Sequence, residues 1–263
     1  MLARAGAFAR AIQSRIEGPI AKDGANAWTR ALTDADITVQ NYVEVATLGA
    51  WPQFGFSGEE SDQSTLHKYF DPDAEFVVHL DPINGTYLYK TQQTGWDIVL
   101  SVSQQGRLMA AISYMPVRGQ FYLATREHGA LTADSSCSRL TEFSPLQTQP
   151  GSGVCLSYQA LEEQQKLRGA YDCFDIVRDH DPARQLDNLN DLFTGRLDAF
   201  ICRDGDLLDW GAAAFIASLA GGVASRLDGA AMSEFDAFDS AHSSDFLVAA
   251  SPEVHADILQ RLN

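Results

Sequence analysis

The chain has 263 residues, of which 45% are hydrophobic and 21% are charged, with a formal net charge of -16 and an isoelectric point near 4.6. This length and apolar content can bury a large core, and no linker-like stretch divides the chain, so we expect a single domain over residues 1–263 with lobes at about 1–140 and 150–263. The excess of carboxylates repels phosphate groups, which argues against nonspecific binding to nucleic acid and to anionic membranes.

The N-terminal half is predicted to contain helices followed by an antiparallel sheet. A first helix is expected at about residues 2–17, amphipathic and unlike a secretion signal, and a second from an N-cap at Thr33 to about residue 48. The predicted strands are Phe76–Leu80, Ile98–Ser103, Leu108–Met115 and Gln120–Ala124. The turns Gln105-Gly106 and Arg118-Gly119 favour hairpins between the last three strands.

The C-terminal half alternates between the two kinds of element. The predicted strands are Gly153–Leu156, Leu197–Cys202 and Phe246–Ala250. The predicted helices lie at about 158–169, 183–194 and 207–220, with a last helix from Pro252. Alternation of this kind is typical of a sheet covered by helices.

The four cysteines stand singly in the sequence, with no CxxC pair. They are Cys137, Cys155, Cys173 and Cys202. This spacing argues against a zinc site and against a disulfide framework, and no run of about 18 apolar residues predicts a membrane span. We therefore expect reduced thiols in a cytoplasmic protein.

The segment Asp81-Pro82-Ile83-Asn84-Gly85-Thr86 follows a hydrophobic strand. It places a carboxylate, main-chain carbonyls, an amide and a hydroxyl on one tight turn, and hard cations such as Mg²⁺ take oxygen ligands from several directions. Asn-Gly between strands is also the strongest short hairpin signal and needs no metal. The turn by itself leaves both interpretations open.

Two further acidic positions are candidates for the same site. Glu59-Glu60 follows a short apolar run, and Asp209 precedes an Ala-rich stretch that ends in Gly221-Gly222. Adjacent carboxylates repel and can face a cation, although exposed loop glutamates are the commoner case. Asp209 is equally well explained as a helix-start residue favoured by the helix dipole.

The ordered segments FSGEES (56–61), DPINGT (81–86) and LLDWGAAAFIASLAGG (207–222) together resemble the motifs of the inositol monophosphatase superfamily. Its members carry GEE, DPxDGT and WDxAA segments, the last on a helix that ends in Gly-Gly. Collinear matches at 32–36, 195–200 and 249–255 extend the resemblance over most of the chain. The resemblance implies an α+β or α/β fold layered as an αβαβα sandwich, a homodimer, and Mg²⁺-dependent hydrolysis of a small phosphorylated metabolite, commonly inhibited by Li⁺.

By position, the resemblance also implies roles for individual residues. Glu59, Asp81 and the Ile83 carbonyl would hold a first Mg²⁺, and Asp81, Asn84 and Asp209 a second. Asp36 and Thr86 would activate the attacking water, which Glu59 would reach through a third, loosely held metal. The implied substrate contacts are Asn84, Gly85, Thr86, Asp181, Arg184 and Asp209. Such metals lower the pKa of water and neutralise the phosphate, so few protein groups are needed.

Asn84 is the most consequential departure from the family pattern, which has an aspartate there. An amide offers an oxygen but no charge, so weaker Mg²⁺ binding and slower turnover are expected. A divergent enzyme, a catalytically dead relative and an engineered change remain open as explanations. Asp181-Pro182 also replaces a usual Gly-Ser or Gly-Thr, and Cys202 falls near an acidic substrate position, so the substrate pocket is altered.

Two polar residues near these motifs are given structural interpretations. Asp97, at the start of an apolar strand, is expected to satisfy backbone groups and not to bind metal. His79 is expected to face away from the site, because neighbours on a strand point to opposite faces.

Two functional hypotheses follow from the sequence. The first is a metal-dependent phosphomonoesterase acting on an inositol, sugar or nucleotide phosphate. The alternative, motivated by Asn84, is a catalytically impaired or noncatalytic protein of the same fold that binds a phosphate ligand or a partner.

Overall fold

A computed structural model describes residues 1–15, 20–21, 31–157, 159–176, 179 and 188–263. The helices are α1 (Leu2–Ile12), α2 (Asp34–Ala50), α3 (Thr86–Lys90), α4 (Leu161–Leu167), α5 (Trp210–Leu219) and α6 (Pro252–Leu262). The strands of the first half are β1 (Ile20–Ala21), β2 (Ala31–Leu32), β3 (Gly55–Gly58), β4 (Phe76–Asn84), β5 (Asp97–Gln104), β6 (Arg107–Met115), β7 (Gln120–Thr125), β8 (Gly129–Asp134) and β9 (Ser144–Pro145). Those of the second half are β10 (Val154–Leu156), β11 (Cys173–Asp175), β12 (Ala199–Asp206), β13 (Val223–Arg226) and β14 (Ser243–Ala249).

The larger sheet runs in the order β3-β4-β5-β6-β7-β8-β9. Its first pair, β3 with β4, is parallel and the other pairs are antiparallel. The two predicted hairpin turns are confirmed: Gln105, Gly106 and Gly119 all have a positive φ, which the turn geometry requires. A separate short pair joins β1 to β2.

The smaller sheet has the order β11-β10-β12-β14-β13. Strand β10 pairs in parallel with β11 and β12, whereas β14 is antiparallel to β12 and β13. It is therefore a mixed sheet, as the alternating sequence pattern predicts for this half.

Apolar side chains arrange these elements in five layers, which confirms the predicted αβαβα sandwich. Helices α1 and α2 pack on one face of the larger sheet, through Ala5, Val39, Leu80 and Ile98 among others. Helix α5 lies between the two sheets, with Val99 and Tyr122 on one side and Phe200 and Phe246 on the other. The outer face of the smaller sheet is covered by α4 and α6 through Leu167, Ile258, Leu156 and Leu247.

Several predicted helix boundaries were wrong. The first helix ends at Ile12 and continues as a 3₁₀ turn over Gln13–Arg15, and the helix expected at 158–169 spans only Leu161–Leu167. Of the helix expected at 183–194, the described part is a 3₁₀ segment, Leu189–Thr194, capped by the Asn188 side chain. The predicted helix at 207–220 begins only at Trp210. Side-chain caps and 3₁₀ turns determine where these helices begin and end, and the spacing of apolar residues in the sequence does not reveal either feature.

Within the described residues, no helix is both long and apolar enough to cross a bilayer. All four cysteines are free thiols in the structure, with Cys155 and Cys202 buried.

Two glycines in helices provide a test of this packing. An alanine at Gly6 in α1 would place its Cβ 2.5 Å from Tyr114 Cε1 and 2.7 Å from Pro116 Cγ, whereas Gly49 in α2 has no neighbour within 4 Å. Gly6→Ala should therefore lower the free energy of unfolding by about 1–3 kcal/mol through overpacking. Gly49→Ala should raise it by about 0.5–1 kcal/mol, because glycine is costly inside a helix.

Denaturant unfolding of the two variants beside the parent measures both effects. Equal stabilities for the two variants would contradict the close packing of α1 on β6.

Candidate functional site

The turn after β4 is built on a β-bulge. Asp81 pairs with Val99 and Asn84 pairs with Asp97. Pro82 and Ile83 of β4 therefore lie opposite the single residue Ile98 of β5. Bulges change the direction in which side chains point and occur often beside functional sites. Gly85 then adopts a φ of +87°, which favours glycine, and α3 begins at Thr86.

Asp81 lies at the centre of the site and is 2% exposed. Its Oδ1 accepts a hydrogen bond of 3.0 Å from the Ile83 amide, which holds the carboxyl in the turn. Burial, followed by repulsion from Glu59 and Asp209, raises the pKa of Asp81 well above its usual value. Carboxylates from three distant sequence segments therefore lie close enough to interact electrostatically around Asp81.

Glu59 comes from the end of β3, directly beside β4. The Glu59 amide donates to the Leu80 carbonyl at 2.9 Å, and the Glu59 carboxyl is close enough to Asp81 to raise the pKa of that carboxyl. Glu60 is 6% exposed, so the expectation that both glutamates lie in an exposed loop is wrong for this one. Its amide donates to Gln40 Oε1 at 2.9 Å, and this contact ties the segment to α2.

Asp36 and Thr86 form a second contact in the site. The N-cap residue Thr33 donates to Asp36 Oδ2 through its amide at 2.9 Å and its hydroxyl at 2.5 Å, and Thr33 itself accepts from the Ala35 amide. Thr86 Oγ1 lies 3.1 Å from Asp36 Oδ1 and 3.0 Å from the Ile83 carbonyl oxygen. Burial above all, with repulsion from Glu59, raises the pKa of Asp36 to about 7.

Asp209 is the N-cap residue of α5, but its side chain makes no capping hydrogen bond. Its charge instead acts on Asp81 and raises the pKa of that carboxyl. Of the two interpretations that the sequence leaves open, the one that places Asp209 beside the Asp81 turn fits the structure better.

Asp97 is 2% exposed and accepts hydrogen bonds from four side chains. Three of these are Ser113 Oγ at 2.5 Å, Asn190 Nδ2 at 2.9 Å and Asn188 Nδ2 at 3.0 Å, and the fourth is Asn84. The expectation that Asp97 satisfies backbone groups is therefore wrong. Burial is the main cause that raises its pKa, to about 6.

The expected orientation of His79 is also wrong. His79 and Asp81 are two residues apart, so their side chains leave β4 on the same face. The His79 ring contacts Phe238 edge-on, and His79 Nε2 lies 2.9 Å from Ser103 Oγ. Phe238 belongs to the core between the sheets, and His79 therefore fills that layer behind the turn.

The structure brings together eight residues from five chain segments, namely Asp36, Glu59, Asp81, Ile83, Asn84, Thr86, Asp97 and Asp209. Sequence reasoning did not assign Asp97 to this group, although an aspartate in a buried strand was a usable signal. Asp181 and Arg184 lie outside the described residues. Within the described ranges, no three His, Cys, Asp or Glu side chains are already arranged to hold a metal ion.

The comparisons with known proteins agree over nearly the full chain. Residues 2–263 match the sequence profile of the family described as "Inositol monophosphatase family". A relative from Neisseria meningitidis called "Putative Nus factor SuhB" is 25% identical over 248 residues, which cover 91% of this chain and 87% of the relative.

Two solved structures illustrate the likeness of the fold. An IMPase from Thermotoga maritima has a TM-score of 0.72 at 15% identity and covers 100% of this chain and 93% of its own. An IMPase/NADP phosphatase complexed with NADP and Ca²⁺ also reaches 0.72, at 18% identity, covering 99% of this chain and 91% of its own. The chain therefore belongs to the inositol monophosphatase family, and that membership supports a phosphatase activity.

Proposed function

We propose that this protein is a Mg²⁺-dependent phosphomonoesterase that hydrolyses a small inositol, sugar or nucleotide phosphate with an activated water molecule. The observation that carries the proposal is the meeting of Glu59 and Asp209 around buried Asp81, beside the Thr86–Asp36 contact. We include in it two or three Mg²⁺ sites, inhibition by Li⁺, a cytoplasmic location and a homodimer, all of which rest on the family resemblance.

The donor set around Asp81 fits a hard divalent cation. The candidate ligands are the carboxylates of Glu59, Asp81 and Asp209, the Ile83 carbonyl and the Asn84 amide oxygen, and magnesium prefers oxygen ligands of this kind. Among the described residues, no Lys or Arg forms an ion pair with Asp81. Bound Mg²⁺ would offset the repulsion among these carboxylates, lower the pKa of water and neutralise phosphate charge.

The carboxylates must change position to share an ion, because no three of the described His, Cys, Asp or Glu side chains are arranged to hold one. Glu59 is exposed, so its side chain can change rotamer. Glu59 repels Asp81, and a cation between the two carboxylates would offset that repulsion.

Thr86 and Asp36 are suited to activate water. When the Thr86 hydroxyl donates to Asp36, its oxygen lone pairs can accept a hydrogen bond from a water molecule. A proton that leaves the water can then pass through Thr86 Oγ1 to Asp36, whose pKa of about 7 lies near physiological pH, where general bases are efficient. The capping bonds from Thr33 keep Asp36 in place for this role.

The substrate phosphate is proposed to lie near the start of α3. Gly85 and Thr86 present main-chain groups there, and Asn84 and Asp209 flank the turn. Asp181 and Arg184 remain proposed substrate contacts on the family pattern. Solved relatives are described as bound with D-inositol-1-phosphate and with NADP, which makes inositol and nucleotide phosphates the first esters to test.

A second candidate function is binding without turnover. Asn84 removes one carboxylate from the motif, and one relative carries the name "Putative Nus factor SuhB" and not that of a phosphatase. Saturable binding of a phosphate ligand or of a protein partner, without phosphate release from any ester, would favour this candidate.

The first test is a panel of inositol, sugar and nucleotide phosphates assayed for phosphate release. We expect turnover in Mg²⁺, loss of turnover in chelator with recovery on adding Mg²⁺ back, and inhibition by Li⁺. Absence of turnover on every ester, in a protein that is folded by circular dichroism, would contradict the phosphatase proposal.

A second test addresses the Thr86 hydroxyl. Thr86→Val keeps the shape of the side chain but removes the hydroxyl, so kcat should fall by about 100-fold or more. Thr86→Ser keeps the hydroxyl and should stay within about tenfold of the parent. Thermal midpoints of both variants show whether the loss of the bond to Ile83 affects folding, and equal activities of the two would rule out the relay.

A third test uses pH. Burial raises the folded-state pKa of Asp97 to about 6, and burial together with like-charge repulsion raises that of Asp36 to about 7 and also raises that of Asp81. A raised carboxyl pKa gives stability that is present below the unfolded pKa, near 4, and is lost as pH rises through the folded pKa. In chelator, the thermal midpoint should therefore fall between pH 5 and pH 8, and Mg²⁺ should restore it at pH 8.

Asp81→Asn serves as the matched variant in this experiment. It should reduce the pH dependence in chelator, leaving the part due to Asp36 and Asp97, and abolish most of the Mg²⁺ effect, whereas Asp62→Asn, at an exposed position, should behave as the parent does. A midpoint in chelator that rises with pH would contradict the picture of mutually repelling carboxylates.

A further inference from the structure

We propose that Asp97, from strand β5, supplies the negative charge that the turn lacks at Asn84, so that the two residues act as one amide–carboxylate pair beside the metal site. This inference rests on the proposed metal-dependent function and names a positioning residue within it. In this view, the carboxylate expected at position 84 on β4 is replaced by an amide, and a carboxylate stands at position 97 on the adjacent strand β5 instead.

The two residues face each other in the sheet. Asn84 and Asp97 are Cα partners at the point where the bulge in β4 ends. Donation from the Asn84 side chain is among the influences that lower the pKa of the Asp97 carboxyl. A carboxylate can only accept, so the Asn84 NH₂ group must be the donor. This assignment leaves the Asn84 carbonyl oxygen as the atom available to a cation.

Asp97 is fixed in position without being neutralised. Ser113, Asn188 and Asn190 donate to it, and Asn190 Nδ2 also lies 2.6 Å from Ser113 Oγ. Every donor to Asp97 in the described part of the chain is a neutral side chain, and none forms an ion pair with it. Hydrogen bonds of this kind stabilise a buried carboxylate but leave its net charge in place.

The charge of Asp97 acts on the centre of the site. Asp97 is the Cα partner of Asn84, and the next pair along the two strands joins Asp81 to Val99, so the Asp97 carboxylate lies beside the turn that holds Asp81. A cation bound at Asp81 would therefore be attracted by Asp97 even without a direct bond. The low effective dielectric of a buried site makes such an attraction stronger than it would be in water.

The same geometry explains why position 84 holds an amide. An aspartate there would face the Asp97 carboxylate with no donor between them, and two carboxylates in contact repel and destabilise the fold in the absence of a cation. Restoring the family aspartate alone is therefore expected to harm the apoprotein. The two substitutions should be tolerated together, because Asn84→Asp adds one negative charge to the turn while Asp97→Asn removes one from the neighbouring strand β5.

Four full-length proteins test the exchange: the parent, Asn84→Asp, Asp97→Asn and the double variant. Mg²⁺ and Mn²⁺ binding to each is measured by calorimetry, and the thermal midpoint is measured in chelator. We expect Asp97→Asn to weaken binding by about tenfold or more, and the double variant to lie within about threefold of the parent, a non-additivity typical of residues in contact. Asn84→Asp alone should have the lowest midpoint in chelator and the largest rise with Mg²⁺.

Asp236→Asn is the control for loss of one charge elsewhere, because Asp236 is exposed and pairs with Arg107 and Arg126. It should bind metal as the parent does. Parent-like binding by Asp97→Asn would overturn the inference, as would independent effects in the double variant or a parent that binds no divalent cation. If Asp97→Asn does not fold, recovery of folding and metal binding in the double variant supports the exchange, and its absence overturns it.

Turnover of the same four proteins separates this inference from the proposed function. Coupled metal binding without phosphate release from any ester would leave the exchange standing and remove the phosphatase proposal. Turnover in the parent without coupling between the two positions would do the reverse.

Discussion

Repulsion among buried carboxyl groups is the constraint on which the site depends. Burial raises the pKa of Asp81, and Glu59, Asp209 and Asp97 come close enough to raise it further; Asp81 and Asp97 are each only 2% exposed. Folding gains nothing from such a group by itself, since desolvated like charges are costly. Packing of the layered core must offset the destabilisation that the buried carboxylates cause, and such clusters of perturbed carboxylates are typical of catalytic sites.

The fold assembles this cluster from elements that meet at one edge of the larger sheet. Strand β3 lies parallel to β4 and brings Glu59 beside Asp81, while α2 presents Asp36 from its first turn. Helix α5, in the layer between the sheets, carries Asp209 at its start. Three layers therefore contribute to one site, and a shift of any of them would separate the carboxyl groups.

Much of this arrangement was predictable from the sequence, for identifiable reasons. The order of the three motifs placed Glu59, Asp81 and Asp209 in one site, and the Thr33 cap fixed the start of α2 and with it Asp36. The pairing of Asp97 with Asn84 was not predictable, because it is set by a one-residue bulge that no local pattern encodes. The mistake about His79 had a simpler cause, since residues two apart on a strand share a face.

The bulge also changes how Asn84 is to be understood. Taken alone in the sequence, an amide in place of a carboxylate indicates a weakened metal site. In the structure the same amide faces a buried carboxylate, Asp97, on the neighbouring strand. The number of negative charges here therefore equals that of a site with an aspartate at position 84 and an apolar residue at position 97. The charge has moved from the turn to the sheet behind it, where Ser113, Asn188 and Asn190 hold it in place. Residue identity at one motif position is therefore a poor guide to activity when the side chain opposite it can carry the charge instead.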